Sequence, residues 1–592
     1  MKFLTRSILA MVAAVASAFA APLSESSSRF VREQSASPIK WHHWDEKVLA
    51  EARAAGRPVY VFVGSELSEL SRATCRQTFR QEEAAALLNQ HFVSIFVDRD
   101  EQPDLAAAIQ FYLNNEKQAS GWPAHVWFTP EMQPFEGAAY LPPTEEWGKP
   151  GFLKVAQQAV DAWTRDAAGA RARAAQSIES LERPFELASF GDEAETVDAA
   201  EALAGAIEGV LASFDPETAA FGETPRTPDA ELLRALLRRD PSSDAPALAS
   251  LRAMARSALR DPLDGGFFRN TVDARWHLPT FQKTLIDQAR LALAYLDAAR
   301  ATGDATYAEP ARGALDFTLN FLAAENGGFL AAQDGTGEAH AGYFLWTAQE
   351  IDISLGSDAA AFRTVHGVEA AGNISEENDP GATLKGRNIL RAAWPTSPAL
   401  QASAAKLLKL RLQRAALPAG SPATAGAQGV LLATLARAGE QLDEPRYRDA
   451  ARRLHAFLQK EILLPSGELR RWAGSSAVAS PVDYAAVALG FREWSRVSGD
   501  AKTAAMADGV LAHLTAAYLD REHGRFYASA EKLRPGVFLR APAVGEPLLA
   551  ESLALLAGVS GETAEALRRG QVALLADPSV SVAGDVLLSL TP

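Results

Sequence analysis

The sequence predicts two domains of different class: an α/β domain followed by a larger all-α domain. In residues 21–171, short runs of β-branched and aromatic residues alternate with helical patterns, as in α/β domains. From residue 197 onward, long alanine- and leucine-rich stretches with helical periodicity dominate. Because the chain has 592 residues, more than one domain is expected. We therefore place the α/β domain at residues 21–171, a charged linker at 172–196 and the all-α domain at 197–592.

The first 20 residues have the pattern of a signal peptide. Lys2 and Arg6 are basic, residues 8–16 are apolar but too few to span a bilayer, and residues 18–20 form a small-X-small cleavage site. We expect cleavage after Ala20 and export to the periplasm or the medium, with no integral membrane segment left in the mature chain. The alternative is an uncleaved membrane anchor. The net charge of −15 argues against nucleic acid as a partner.

The elements of the α/β domain follow from its apolar pattern. Strands are predicted at residues 58–63, 91–97, 124–128 and 136–141. Helices are predicted at residues 45–55, 76–89, 102–113 and 152–170, the first with Asp45 as its N-cap. The adjacent His42 and His43 point in different directions and have no ligand cluster nearby, so we expect no metal and no cofactor.

The turn at residues 64–75 indicates a thioredoxin-like fold without its redox chemistry. A strand that runs through a short turn into a helix is where this fold carries Cys-X-X-Cys, because the helix N-terminus lowers the pKa of a thiol. Ser68 and Ser71 have the spacing of those two cysteines. Serine cannot form a disulfide and is a weak nucleophile without an activating base. Pro123, which precedes the strand at 124–128, is the candidate cis-proline of such a fold.

Cys75 is the only cysteine in the sequence, so no disulfide can form within the chain. We expect a buried thiol that packs as a small hydrophobic residue. The alternative is a reactive thiol.

A turn motif recurs through the all-α domain and indicates internal repeats. It occurs as Gly-Gly-Phe at residues 265–267 and 327–329, and in weaker forms at 219–221, 466–469 and 524–526. The spacing of about 60 residues fits one helical hairpin per repeat. About six hairpins fit between residues 197 and 592, which predicts a closed (α/α)6 toroid rather than an open solenoid.

These fragments together resemble the spermatogenesis-associated thioredoxin-domain family, also called YyaL-like. In the first domain the resemblance rests on residues 37–41, Trp44, Phe79, 97–99, 121–123, 129–130 and 140–143. In the second domain it rests on residues 265–267, 272–273, 276–277, Pro279, Phe281, Lys283, 287–288, 327–329 and 344–347. The resemblance implies a thioredoxin-like domain joined to a barrel similar to six-hairpin glycosidases and sugar epimerases.

The chain departs from the family pattern at polar positions of both domains. Relative to the family's Cys-His-Trp-Cys-His, it has serine at positions 68 and 71. A family glutamate is replaced by Gln282, a family aspartate by Thr336, and a Trp-Asn-Gly signature by residues 427–429. In the first hairpin, the family's Gly-Gly-Phe and Pro-Lys-Phe-Pro become residues 219–221 and 225–228.

Candidate ligand-binding residues lie on the predicted loops of the all-α domain. Asp273, Trp276, His277 and Asp334 are the best of these, because an aromatic face beside carboxylate and imidazole groups suits a sugar. Further acidic candidates are Asp287, Glu338, Asp483 and Glu546. For each carboxylate, helix capping or an ion pair is the competing interpretation. For Trp276 it is core packing, and for Lys283 and Asp287 an i,i+4 pair on one helix.

Three functions remain open from the sequence. The first is a non-catalytic exported binding or scaffold protein, with a carbohydrate or a protein as its partner. The second is a carbohydrate-active enzyme, a glycoside hydrolase or sugar epimerase, that uses the barrel cleft. The third is a thiol oxidoreductase, which requires Cys75 to act alone.

Overall fold

A computed structural model describes residues 22–146, 148–187, 199–379, 381–418, 420–521, 525–530 and 533–541. The chain divides into two compact units. Of the described residues, the first unit comprises those up to Arg183 together with Leu533–Leu539, and the second comprises those from Pro184 to Lys532 and from Arg540 onward. The division falls inside the expected linker at 172–196. The sequence placed all of residues 197–592 in the all-α domain. Seven of them, Leu533–Leu539, belong instead to the first unit.

The first unit is built on a five-stranded mixed sheet. Its strands are β1 (Trp41–His42), β2 (Val59–Gly64), β3 (Val93–Asp98), β4 (Ala124–Phe128) and β5 (Pro134–Ala138). Their spatial order is β1-β3-β2-β4-β5. The pairs β1–β3 and β2–β3 are parallel, whereas β2–β4 and β4–β5 are antiparallel. The register pairs Gly64 with Asp98, so β2 and β3 end together at the edge where the serine turn begins.

Helices cover both faces of this sheet. They are α1 (Glu46–Ala54), α2 (Glu69–Ala73), α3 (Glu82–His91), α4 (Pro103–Glu116), α5 (Phe152–Arg165) and α6 (Ala167–Leu187), with a short helix at Arg29–Arg32. Asp45 caps α1 by accepting a hydrogen bond from the N–H of Lys47, as predicted. The single helix predicted at 76–89 is wrong. The chain there forms α2, a π-helical turn at Thr74–Thr78, and then α3.

The second unit is dominated by helices. They are α7 (Ala199–Ala212), α8 (Ala230–Arg239), α9 (Pro246–Ala255), α10 (Leu285–Thr302), α11 (Ala308–Phe317), α12 (Ala348–Leu355), α13 (Ala359–His366), α14 (Pro398–Arg411), α15 (Ala425–Gln441), α16 (Pro445–Phe457), α17 (Pro481–Ser498) and α18 (Ala501–Tyr518), with a short helix at Glu338–Ala341. None of the helices in the described residues is long and apolar enough to cross a membrane.

Within the described residues, four helical hairpins can be traced: α8–α9, α10–α11, α15–α16 and α17–α18. Their first helices contact one another in series, α8 to α10 to α15 to α17, and each second helix packs on its own first helix. Such an inner layer and outer layer are the arrangement of an (α/α) barrel. The predicted class, an α/β domain followed by an all-α hairpin domain, is confirmed. The hairpin expected after residue 541 lies outside the described residues.

The turn motif found in the sequence is a small β-bridge that recurs before the inner helices. The bridges pair Phe214 with Phe221, Arg260 with Phe267, Ala323 with Phe329, Leu463 with Leu469, and Leu519 with Phe526. Gly265, Gly327 and Gly467 adopt the same left-handed backbone, with φ of 82°, 91° and 88°. Ala219 occupies this position in the first copy, with φ of 50°.

The inner helices also repeat side chains in register. The fourth residue of α10, α15 and α17 is Gln288, Gln428 or Tyr484, and each bonds the backbone N–H of the preceding bridge residue: Phe267 (2.7 Å), Phe329 (3.1 Å) and Leu469 (3.2 Å). The thirteenth residue of the same helices is Asp297, Arg437 or Glu493. Arg437 pairs with Glu493 at 3.1 Å, and Asp297 pairs with Arg234 of α8 at 2.8 Å. Buried hydrogen bonds and ion pairs therefore recur with the helical repeat.

Candidate functional site

The serine turn joins β2 to α2. Ser68 is the N-cap of α2: its hydroxyl accepts a hydrogen bond from the N–H of Ser71 at 3.3 Å. Ser71 is fully buried, and its hydroxyl accepts from the N–H of Ser65 at 3.3 Å. Both hydroxyls therefore help to hold the turn. Within the described residues, no histidine or carboxylate is hydrogen-bonded to either of them that could act as the base that a serine nucleophile requires.

Pro123 lies beside this turn. The peptide bond between Trp122 and Pro123 is cis, as expected for the candidate cis-proline. The hydroxyl of Ser68 donates to the carbonyl of Trp122 at 3.4 Å, so the two loops are in contact. Arg72 flanks the turn, pairs with Glu69 at 2.7 Å and donates to the carbonyl of Glu66. The backbone arrangement of a redox turn is thus present with serine in place of sulfur.

Cys75 is a buried thiol of the first unit. It lies in the π-helical turn, is 7% exposed and packs in the hydrophobic core of the unit. Burial, reinforced by the charge of Glu33, raises the pKa of the Cys75 thiol far above its usual value. Since the thiolate is the nucleophile, this raised pKa disfavours the reactive form of the thiol at neutral pH. The expectation of a buried thiol is confirmed.

Asp98 is the most perturbed carboxyl group near the turn. It ends β3 beside Gly64, and it accepts from the hydroxyl of Ser28 at 2.6 Å and the N–H of Asp100 at 2.9 Å. Burial and the neighbouring charge of Asp100 raise the pKa of Asp98 to about 7. The hydroxyls of Ser26 and Ser27 in turn donate to Glu101. Three consecutive serines thus attach the N-terminal segment to this edge of the sheet.

In the second unit, Asp273 is occupied by its own loop. Its carboxylate accepts from the backbone N–H groups of Arg275 at 2.7 Å, His277 at 3.0 Å and Leu278 at 2.6 Å. These bonds fix the loop at 273–278. They leave the carboxylate with a structural role, and His277 stands exposed next to it.

Trp276 belongs to the core of the second unit. It is 5% exposed, and its indole N–H donates to the carbonyl of Thr218 at 3.2 Å. Trp276 and Phe281 both adopt positive φ, 60° and 55°, which is a strained conformation for bulky residues. The loop is therefore held in a special shape, with the aromatic face of Trp276 inside the core and unavailable to a sugar.

The other acidic candidates also have structural partners. Asp334 accepts from the side-chain amide of Gln282 at 2.9 Å and from the N–H and hydroxyl of Thr336. Asp287 accepts from the hydroxyl of Thr284, which is the N-cap of α10. Asp483 completes the capping box of α17 and pairs with Arg471. The side chain of Glu338, and all of Glu546, lie outside the described residues.

A buried ion cluster, which the sequence analysis missed, lies in this unit. Lys283 donates to Asp261 and Asp264 at 2.7 Å, and Arg411 of α14 donates to the same two carboxylates at 2.6 Å. All four side chains are at most 5% exposed. The predicted i,i+4 pair of Lys283 with Asp287 is wrong. Residues 282–284 form β6, paired with β7 (Ala332–Asp334), and α10 begins only at Leu285.

The charges of this cluster are nearly balanced. Burial opposes ionisation of Asp261, but the charges of Arg411 and Lys283 outweigh it and hold the pKa of Asp261 well below its usual range. Burial and the neighbouring charge of Asp261 raise the pKa of Asp264. The ring centroid of Phe268 lies 4.6 Å from the Lys283 ammonium and that of Phe344 lies 5.1 Å from it. Aromatic rings therefore pack against the cluster. The loop at 261–264 carries two aspartates close together, which is the signal that could have indicated the cluster.

No cluster of three or more histidine, cysteine, aspartate or glutamate side chains in the described part of the chain could hold a metal ion. The two units define the class of protein: a thioredoxin-like domain with serines at its turn, and an all-α domain built from helical hairpins. Comparisons with known proteins agree with this class. Residues 20–182 match the family model Thioredox_DsbH, described as a protein of unknown function, DUF255.

The curated relatives confirm the resemblance found in the sequence. The chain is 26% identical to human spermatogenesis-associated protein 20 over 565 residues, covering 87% of this chain and 72% of that protein. It is 28% identical to the mouse protein of the same name over 420 residues, covering 66% of this chain and 52% of that protein. The matched part thus spans about half the length of the mouse relative.

Two solved structures are similar to about two thirds of the chain. A cellobiose 2-epimerase from Spirochaeta thermophila has a TM-score of 0.41 at 16% identity, covering 64% of this chain and 83% of the epimerase. A GH76 alpha-mannanase from Bacteroides thetaiotaomicron has a TM-score of 0.42 at 13% identity, covering 68% of this chain and 96% of the mannanase.

Proposed function

We propose that this chain is an exported, non-catalytic binding or scaffold protein whose thioredoxin-like domain has no redox activity. One observation carries the proposal: Ser68 and Ser71 occupy the turn where a dithiol would sit, and both hydroxyls are used to hold the backbone. The only cysteine of the sequence, Cys75, is buried nearby with a raised pKa. Export is supported by the signal-peptide pattern of residues 1–20.

The helical domain supports binding of a partner more than catalytic turnover of a glycan. Glycoside hydrolysis requires a carboxylic acid and a second carboxylate that face one substrate. Asp273, Asp334 and Asp483 instead accept hydrogen bonds from their own loops or pair with an arginine. A carbohydrate or a protein remains the proposed partner. A glycan array combined with a sugar-release assay separates the two functions, since turnover of any glycan contradicts the non-catalytic proposal.

The redox part of the proposal is tested by insulin reduction. The full-length protein should give the uncatalysed rate with dithiothreitol as reductant, because no pair of thiols can cycle through a disulfide. The Cys75→Ala variant should give the same rate. A rate above background that disappears in this variant would revive the thiol oxidoreductase and contradict the proposal.

Restoring the two cysteines tests the identity of the turn. The double variant Ser68→Cys, Ser71→Cys should fold and form a disulfide under oxidising conditions, because the cap and the cis-Pro123 loop are already in place. The packing cost of each change should be less than ~1 kcal/mol, since a thiol is similar in size to a hydroxyl. Mass spectrometry after alkylation measures the bond. Alkylation at both positions 68 and 71 of the oxidised variant, with Cys75 counted separately, would show that the turn is not thioredoxin-like.

A further inference from the structure

Leu533–Leu539, here called the clasp segment, belongs to the first unit although the chain on both sides of it belongs to the second. Its contacts are with α1, α4 and β4 of the α/β unit. From these contacts we infer that the α/β unit has a peptide-recognition groove between α1 and α4, separate from the serine turn. Its resident ligand is the clasp segment, a basic residue followed by a Pro-Gly turn and apolar residues.

The first anchor of the clasp segment is a forked ion pair. The guanidinium of Arg534 donates to both carboxylate oxygens of Asp104, at 2.7 Å and 2.6 Å, and to the side-chain carbonyl of Gln102 at 3.3 Å. Asp104 lies in the first turn of α4 and its side chain is only 16% exposed. A two-point bond between a planar fork and a carboxylate is directional, so this end of the groove selects arginine over lysine.

The second anchor is a tight turn that fits the groove by shape. The N–H of Val537 donates to the carbonyl of Arg534 at 3.1 Å, with Pro535 and Gly536 between them. The φ of Gly536 is 85°, as a Pro-Gly turn of type II requires. The indole N–H of Trp44 donates to the carbonyl of Pro535 at 3.0 Å and so contacts the turn directly.

Close packing at Gly536 excludes any other residue. A Cβ atom at this position would lie 2.5 Å from the side chain of Leu49 and 2.7 Å from that of Trp44. The wall of α1 is therefore complementary to a glycine, in addition to the backbone requirement of the turn.

The third anchor is apolar. The ring of Phe538 lies 5.5 Å from that of Phe128 on β4 and 6.4 Å from that of Tyr112 on α4. Val537 and Leu539 are 6% and 3% exposed. The segment thus combines a charged fork, a shape-specific turn and buried apolar side chains, which is the chemistry of a specific peptide ligand.

Covalent attachment explains why the groove is filled. A tethered ligand competes at an effective concentration that can reach the millimolar range, so a free peptide of the same sequence cannot displace it at ordinary concentrations. The groove becomes available to a separate Arg-Pro-Gly-X-aromatic peptide only when the clasp segment is released.

The test uses the full-length chain with the clasp weakened in place by the double variant Arg534→Glu, Phe538→Ala. A fluorescent peptide with the sequence of residues 533–539 should bind this variant, and should bind the wild-type chain at least tenfold more weakly. A control peptide with alanine in place of glycine should bind neither. Fluorescence anisotropy up to millimolar protein measures this. Equal binding to both chains, or no binding to the variant, overturns the inference.

Hydrogen exchange gives a second, independent measurement. In the wild-type chain the amides of residues 537–539 should exchange more slowly than those of a free peptide. The Asp104→Asn variant should accelerate that exchange at least tenfold. The matched control Asp161→Asn, which breaks an exposed pair with Arg165 in the same unit, should leave it unchanged. Unprotected amides in the wild-type chain would also overturn the inference.

Discussion

At the scale of single residues, Asp98 makes the stability of the first unit depend on pH. Its native pKa of about 7 lies above the usual value of an aspartate, with burial as the main cause. Between about pH 4 and pH 7 the native state therefore holds a proton that the unfolded chain releases. The contribution of Asp98 to the unfolding free energy is largest below pH 4, falls as the pH rises to 7, and is flat above that.

Asp98→Asn should remove this dependence. The amide has the shape of the carboxyl group, carries no charge, and can keep a bond to Ser28 and the bond from the N–H of Asp100. We expect the variant to be more stable than the wild type at pH 8 and to lose less stability between pH 5 and pH 8. Urea unfolding across this range measures both. Parallel curves for the two proteins would contradict the assigned pKa shift.

In the first unit, the sequence was most informative about the positions of single residues. The positions of Ser68, Ser71 and Pro123 followed from the order of strand, turn and helix, because that order fixes which backbone segments meet. The partners of Asp273 and Asp334 did not follow. Whether a carboxylate faces a cleft or its own loop depends on backbone dihedrals, such as the positive φ of Trp276, that side-chain periodicity does not encode.

At the scale of the element, the recurring bridge unit tolerates one strained copy. Its left-handed position is glycine at 265, 327 and 467, and Ala219 in the first hairpin. A residue with a Cβ atom in this conformation costs roughly 1–2 kcal/mol. The repeat could be recognised in the sequence because the left-handed backbone at this position favours glycine.

Ala219→Gly should therefore stabilise the protein. Relief of the strain is partly offset by the greater freedom of glycine in the unfolded chain, so we expect a gain of about 0.5–1 kcal/mol. The reverse change, Gly265→Ala, should destabilise by more than ~1 kcal/mol, because its Cβ atom would also lie 2.7 Å from the Cα of Gly313. Chemical denaturation measures both. A loss of stability in Ala219→Gly would show that φ at this site is not strained.

The element boundaries that were wrong share one cause. The helix predicted at 76–89 missed α2 and the π-helical turn, because the apolar period does not register an inserted residue in a turn. Similarly, residues 282–284 directly precede a helical pattern and were counted with it, yet they pair with β7 before α10 begins. Local pattern located the elements, whereas tertiary pairing set their ends.

At the scale of the whole molecule, the buried ion cluster joins parts of the second unit that are far apart in sequence. Asp261 and Asp264 lie on a loop, Lys283 on β6 and Arg411 at the end of α14, more than 120 residues away. Charge pairs at such separations cannot be deduced from spacing. This is why the sequence predicted a local partner for Lys283.

Lys283→Met should destabilise the second unit strongly. It removes one of two cations from a site with two buried carboxylates, and breaking a buried pair in this way costs about 3–5 kcal/mol. The control Lys406→Met removes an exposed lysine whose partner Asp358 is also exposed, and should change stability by less than ~1 kcal/mol. Calorimetry measures both. Equal effects would mean that the cluster does not hold these three segments together.

The clasp segment has a consequence for synthesis on the ribosome. The α/β unit includes Leu533–Leu539, which emerges roughly 350 residues after α6 has left the exit tunnel. At about 5–20 residues per second, this delay is on the order of 20–70 s. For that time the nascent α/β unit presents an open apolar groove lined by Trp44, Tyr112 and Phe128. A chaperone, or the same segment of a neighbouring nascent chain, has that interval in which to occupy it.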